Sequence, residues 1–168
     1  MNSKDFEKEV VEYPEVVLKR KTRSVKVIDR EVLELIRLMV DVMFETQGVG
    51  LSANQIGRDL RIFVASPQLK REDVRIFINP KIISKRGTQV DQEGCLSVPG
   101  FSAFIRRYDE VTVEALNIEG KKFEMKADGF MARIIQHEID HLNGKIFIQR
   151  LPCKERKKYL KSVLKREK

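Results

Sequence analysis

The stretch Gln136-His137-Glu138-Ile139-Asp140-His141 restricts this chain more than any other. It sits in an apolar run from Asp128 to Leu142 that follows a helical period, with Asp128 expected as the N-cap and Gly144 near the end. Residues four apart on a helix share a face, so His137 and His141 can bind one metal ion. Glu138, one step round, can reach a water on that ion. The chain has 2 histidines and both are here, which makes a surface helix with two exposed imidazoles the weaker reading. A fold that serves such a helix must bring at least one more ligand to it from elsewhere in the chain.

A catalytic site of this kind takes three protein ligands and keeps one position open. One protease class supplies the third as a further histidine, and His141-Leu142-Asn143-Gly144 begins that spacing, but Phe147 stands in the ligand place. Glu155 and Glu167 lie downstream in a lysine-rich tail, where they balance charge. Cys95 is the better candidate: Gly94 beside it permits close approach, and a thiolate binds Zn²⁺ or Fe²⁺ strongly. Cys153 reads as a small buried apolar residue. Asp140 or Gln136 is expected to orient a histidine through its second ring nitrogen, and Arg133 is uncommitted.

The remaining pattern is that of a mixed fold. Asp29 caps a helix whose Val32, Leu35, Ile36, Met39, Val40, Met43 and Phe44 form one apolar stripe, with Gly48 as its stop. Before it, Tyr13–Leu18 reads as a turn leading into an extended arm. The segment Gly48–Gly57 reads as a loop, since it matches neither a dinucleotide fingerprint nor a phosphate loop. Strands are expected over Leu60–Ala65, Val74–Ile78, Lys81–Ser84, Val111–Ile118, Lys121–Lys126 and Lys145–Ile148, with a turn-rich segment over Glu93–Gly100. A basic terminal helix is expected at about 152–168. The fold class is α+β: mostly antiparallel sheets packed around a central metal-binding helix, with an N-terminal and a C-terminal helix. At 168 residues this is a single domain, 1–168.

Composition narrows the class further. No apolar run approaches the ~20 residues that span a bilayer, so no membrane is expected as a partner. Two cysteines 58 positions apart do not make a disulfide scaffold, and the N-terminus lacks a signal-type apolar core, so the expected setting is cytoplasmic. The net charge of +8 favours polyanions without selecting one, and no specific DNA binding is indicated.

Three blocks of the chain resemble those of peptide deformylases: Gly48-Val49-Gly50-Leu51-Ser52-Ala53-Asn54-Gln55, Glu93-Gly94-Cys95-Leu96-Ser97, and Gln136-His137-Glu138-Ile139-Asp140-His141-Leu142-Asn143-Gly144. Their order and separation match, and the arm near Tyr13–Val27 and the basic tail are similar too. The family usually carries Ala where Ser52 stands, so this chain adds one hydroxyl beside the site. The resemblance implies removal of the N-formyl group from the initiator methionine of new polypeptides, with release of formate. By position, Cys95, His137 and His141 hold the metal, Fe²⁺ by family habit with Zn²⁺ the alternative. Glu138 is general base and acid, Gln55 and the Leu96 backbone N–H bind the formyl oxygen, and Gly50 aligns the substrate backbone.

Methionine needs an apolar pocket, for which Val49, Phe130 and Ile134 are candidates; Phe130 and Ile134 read equally well as core. The tail from Lys154 to Lys168 holds eight Lys/Arg and two Glu. Its default reading is a solvated helix face, and its functional reading is contact with ribosomal RNA. The rival readings are a His-Glu-x-x-His metallopeptidase, a deformylase-like protein without turnover, and a basic nucleic-acid-binding protein with a structural metal.

Overall fold

The computed structural model describes residues 10–166, with side chains as far as Lys161. Among the described residues the helices are α1 (Arg30–Glu45), α2 (Gly129–Leu142) and α3 (Cys153–Arg166). The strands are β1 (Gly50–Ser52), β2 (Ile62–Ala65), β3 (Arg75–Arg86), β4 (Gln89–Gly94), β5 (Ser102–Arg107), β6 (Glu110–Leu116) and β7 (Lys122–Asp128). They form a five-stranded antiparallel sheet in the order β1-β2-β3-β6-β7 and a separate β4-β5 hairpin. The α+β architecture, with three helices and antiparallel sheets, is as expected.

Alternation along β2 explains where the helices go. Successive strand residues face opposite sides of a sheet, and all of β2 is buried. Ile62 and Val64 join the α1 stripe of Val32, Ile36, Met39, Val42 and Met43. Phe63 and Ala65 join Ala132, Ile135, Ile139 and Leu142 of α2. Phe63 stacks on Phe77 at 4.4 Å between ring centroids. The metal-motif helix therefore lies against one sheet face while α1 covers the other. A third cluster, built on Val98, Ile105, Phe147, Leu151 and Tyr159, ties the β4-β5 hairpin to α3.

Local chemistry sets several boundaries away from their expected places. Asp29 does cap α1, accepting from the Val32 N–H at 3.0 Å. That helix ends at Glu45 with Thr46 as its C-cap, and Gln47, not Gly48, takes the left-handed conformation, with φ 53°. Asp128 makes no side-chain cap bond; it closes β7, and the helix begins at Gly129. The two strands expected on either side of Asn79-Pro80 are one strand with a register shift between Ile78 and Lys81. Pro80 has no N–H to give a ladder, and it falls at that irregularity. Asn79 adopts φ 53° there and bonds the backbone N–H and C=O of Val25, each at 2.8 Å.

Other segments differ in kind. Gly50–Ser52, read as loop, is an edge strand, followed by a 3₁₀ turn over Ala53–Ile56. Val16–Lys19 and Phe147–Arg150 are 3₁₀ turns, not extended chain. Short apolar runs do not distinguish strand from helical turn by period alone. Cys153 is exposed at the start of α3, not buried as expected. No helix among the described residues is long and apolar enough to cross a membrane.

Candidate metal centre and catalytic cavity

The site forms where α2 passes beneath β1 and the end of β4. His137 and His141 come from one helical face, with Nε2 atoms 3.2 Å apart. Cys95 follows β4 directly, and its Sγ lies 3.2 Å from His141 Nε2. The three ligand atoms lie within 4.8 Å of one another. A tetrahedral ion with bonds of about 2.0–2.3 Å separates its ligand atoms by roughly 3.3–3.6 Å, so this donor set fits one cation of the Fe²⁺ or Zn²⁺ kind. No Asp or Glu belongs to the cluster of three ligands.

Burial and neighbouring groups shift the two rings in opposite directions. Burial works against charge on both rings, yet hydrogen bonds to Cys95 and Glu93 raise the His137 pKa well above its usual range. Burial, then His137 and Arg107, lower that of His141.

A cavity of about 550 Å³ opens above these ligands. Gln55, Cys95, Leu96, His137 and Glu138 line it, as do Val49, Gly50, Phe130 and Ile134. Every residue given a metal, catalytic or substrate role from the sequence is therefore at this cavity except His141, which lies fully buried behind it. Phe130 is 51% exposed and Ile134 4%, so the first is wall and the second is both wall and core. Gly50 is required by space: a Cβ there would stand 2.6 Å from Glu138 Oε1 and 3.0 Å from Ile134 Cγ2.

Glu138 is buried, and burial raises its pKa, opposed by the nearby His137 and by a hydrogen bond from Ser52. A carboxylate raised toward neutrality beside a metal site suits proton transfer. Gln55 accepts the Ser52 backbone N–H at 2.9 Å through Oε1. Its Nε2 is thereby turned to Cys95 Sγ, 3.5 Å away, and Ser97 Oγ, 3.3 Å away. An amide donor thus faces the ligand sulfur.

Sequence reading missed the groups that orient these residues. Neither Asp140 nor Gln136 binds a site histidine: Gln136 pairs with the Tyr108 backbone, and Asp140 with Arg107 and Arg150. The partner of His137 Nδ1 is Glu93 Oε2, at 3.0 Å. Glu93 also binds Arg107 and Arg133, so the uncommitted Arg133 belongs to this network. Burial pushes the Glu93 carboxyl up, but Arg107 and then His137 hold it well below the usual carboxylate range. Glu93 stood inside the Glu93-Gly94-Cys95 block, but nothing local in the sequence marks it as buried.

Comparison with known proteins accounts for this arrangement. Residues 7–157 match the family model described as Polypeptide deformylase. The chain is 40% identical over 159 residues to a peptide deformylase of Chromobacterium violaceum, covering 95% of each chain. It is 45% identical over 147 residues to one of Aquifex aeolicus, covering 86% of this chain and 87% of that one. The crystal structure of a peptide deformylase from Legionella pneumophila superposes with a TM-score of 0.88 at 37% identity, over 94% of each chain. The chain belongs to the polypeptide deformylase family, metal-dependent hydrolases that remove the N-formyl group from newly made polypeptides.

Proposed function

We propose that Cys95, His137 and His141 hold one divalent ion and that the cavity above them receives formyl-methionine. The convergence of the three ligand atoms on one another at the floor of the cavity, with Glu138 and Gln55 lining it, carries this reading. The ion is Fe²⁺, following the family resemblance; Zn²⁺ suits the same donors. Bound there, such an ion would supply Lewis acidity that brings the pKa of a water from 15.7 down to about 7. Glu138 takes the proton from the attacking water and delivers it to the leaving amine. The Gln55 amide and the Leu96 backbone N–H donate to the formyl oxygen as it becomes negative, and losing one such donor costs roughly 100- to 1,000-fold in turnover. Gly50 leaves room for the substrate backbone, and Val49, Phe130 and Ile134 enclose the methionine side chain.

The whole chain, 1–168, acts as one catalytic domain in the cytoplasm. The basic helix α3 rests on ribosomal RNA, where formylated nascent chains emerge; residues 167–168 of the basic helix expected at about 152–168 lie outside the described residues. Neither membrane nor specific DNA is a partner. The test is anaerobic purification with metal analysis, then formate release from formyl-Met-Ala. Near-stoichiometric iron and air-sensitive turnover are the expected results. Cleavage of N-blocked peptides at internal bonds, with no formate released, would replace this reading with that of a metallopeptidase.

A further inference from the structure

The residue left over by the roles above is Ser52. It is fully buried at the end of β1 and touches two of the proposed catalytic groups at once. Its backbone N–H, which can only donate, reaches Gln55 Oε1 at 2.9 Å. This alone fixes which end of the Gln55 amide faces the ligand sulfur. Its hydroxyl lies 2.5 Å from Glu138 Oε2 and 3.1 Å from Gln55 Oε1. One hydroxyl proton serves one acceptor at a time, and the charged, nearer carboxylate takes it. On the other side, Glu138 Oε1 faces the bare Cα of Gly50. The carboxylate is therefore held at one oxygen and left free at the other.

We propose that Ser52 is a positioning residue for the reaction: its hydroxyl anchors Glu138 Oε2 so that Oε1 faces the substrate, while its backbone holds the Gln55 amide turned toward the metal ligands. The inference rests on the deformylase roles assigned above. It separates two functions of one residue, because removing the hydroxyl leaves the backbone bond to Gln55 in place. Ser52→Ala, which installs the residue the family usually carries, should thus act chiefly on Glu138, while the hydroxyl's share of the Ser52–Gln55 capping box is lost with it. Substrate contacts stay intact, so KM should hold within about two-fold while kcat falls about 10-fold, the worth of one hydrogen bond to a charged group.

The experiment compares wild type, S52A, S52C and S52T as metal-loaded full-length proteins, reading kcat and KM for formyl-Met-Ala alongside metal content and thermal melting. S52C keeps the shape of serine with a larger, weakly donating sulfur, so it should lose kcat as S52A does and stands in should S52A unfold. S52T keeps the hydroxyl and should recover most of kcat. Unchanged kcat in S52A and S52C, or a change confined to KM or to metal content, overturns the role. So does S52T behaving like S52A at equal stability. Absence of formate from wild type would instead sink the deformylase roles themselves, and this inference with them.

Discussion

Glu93 Oε2 stands 3.0 Å from His137 Nδ1, while its Oε1 accepts from Arg107 at 2.8 Å and Arg133 at 2.6 Å. One buried carboxylate thus orients a metal-ligand ring and is itself held by two guanidinium groups. Partners of this kind fix the ring and raise its basicity, and losing one costs about 10- to 100-fold in metal affinity. Glu93→Gln is expected to weaken the site by that order, measured by titrating the loaded protein against a chelator. Glu93→Ala leaves Arg133 buried without a carboxylate and Arg107 with Asp140 alone, and should cost about 3–5 kcal/mol in denaturant unfolding.

The role proposed for Glu138 comes at the expense of stability. Burial raises its pKa, so keeping it ionised at neutral pH opposes folding; the contribution is favourable at low pH and lost as pH rises through the folded value. Glu138→Gln removes that cost and keeps the size. The variant should retain its metal, melt at a higher temperature than wild type at pH 7, and lose about 100- to 10,000-fold in kcat. Cys95→Ala, by contrast, should lose both metal and turnover. Metal analysis, calorimetry and formate release on the same preparations separate these outcomes.

The two parts of the site differ in how plainly the sequence carries them. His137, Glu138 and His141 are legible because a helix turns a four-residue spacing into a shared face. Cys95 is legible only once a third ligand is demanded. Glu93 is not, because its role depends on Arg107 of β5 and Arg133 of α2, which no local pattern connects to it. β4 itself escapes notice for the same reason: it reads Gln-Val-Asp-Gln-Glu-Gly, and its most buried side chain is a charged one. Gly50–Ser52 is three residues long, too short for alternation to register, and becomes a strand by pairing with Ser52↔Phe63 and its neighbours on β2. Helix α1, with sixteen residues and a long apolar stripe, needs no such context.

Acid should attack the network around the metal helix first. Burial pushes both Glu93 and Asp140 up, but Arg107 and His137 outweigh it for the first, and Arg150 and Arg107 for the second. Both carboxyls sit below their ordinary values of 4.5 and 3.8. A depressed carboxyl contributes fully above its unfolded pKa and loses that contribution as pH falls through the folded one. Stability should therefore drop steeply below about pH 4.5, while Asp140→Asn, less stable at neutral pH, should show a shallower acid slope. Urea midpoints between pH 3 and 7 test both.

Gly144 holds the end of the metal helix against the arm. Its φ is 70°, and a Cβ would stand 2.8 Å from backbone atoms of Lys19 and Arg20. Neither backbone can give way as a flexible side chain would. Gly144→Ala should destabilise the fold by more than about 1 kcal/mol, since strain and clash both act. Because Thr22 and Asn54 also bond carbonyls of Leu142 and His141, displacement here should reach the metal site. Metal affinity is expected to fall together with the unfolding midpoint; a shift in stability with affinity unchanged would confine the effect to the arm.

Removing α3 would be a poor test of the proposed ribosome contact. Tyr159 of that helix packs on Phe101, with ring centroids 4.0 Å apart, and Phe101 lines the catalytic cavity. Truncation would therefore strip a support from the cavity wall as well as the charge. Lys154, Lys157, Lys158 and Lys161 are exposed, and replacing them with Gln keeps the helix and the Tyr159 contact. Phosphate-driven binding weakens with salt in proportion to the phosphates neutralised, each one adding about 0.7–0.9 to the log–log slope. The quadruple variant is expected to bind ribosomes more weakly at low salt, with a flatter salt dependence, while kcat/KM on formyl-Met-Ala stays at the wild-type value. Equal binding by variant and wild type at low salt would remove these lysines from any ribosome-facing role and leave the helix as a scaffold for Phe101.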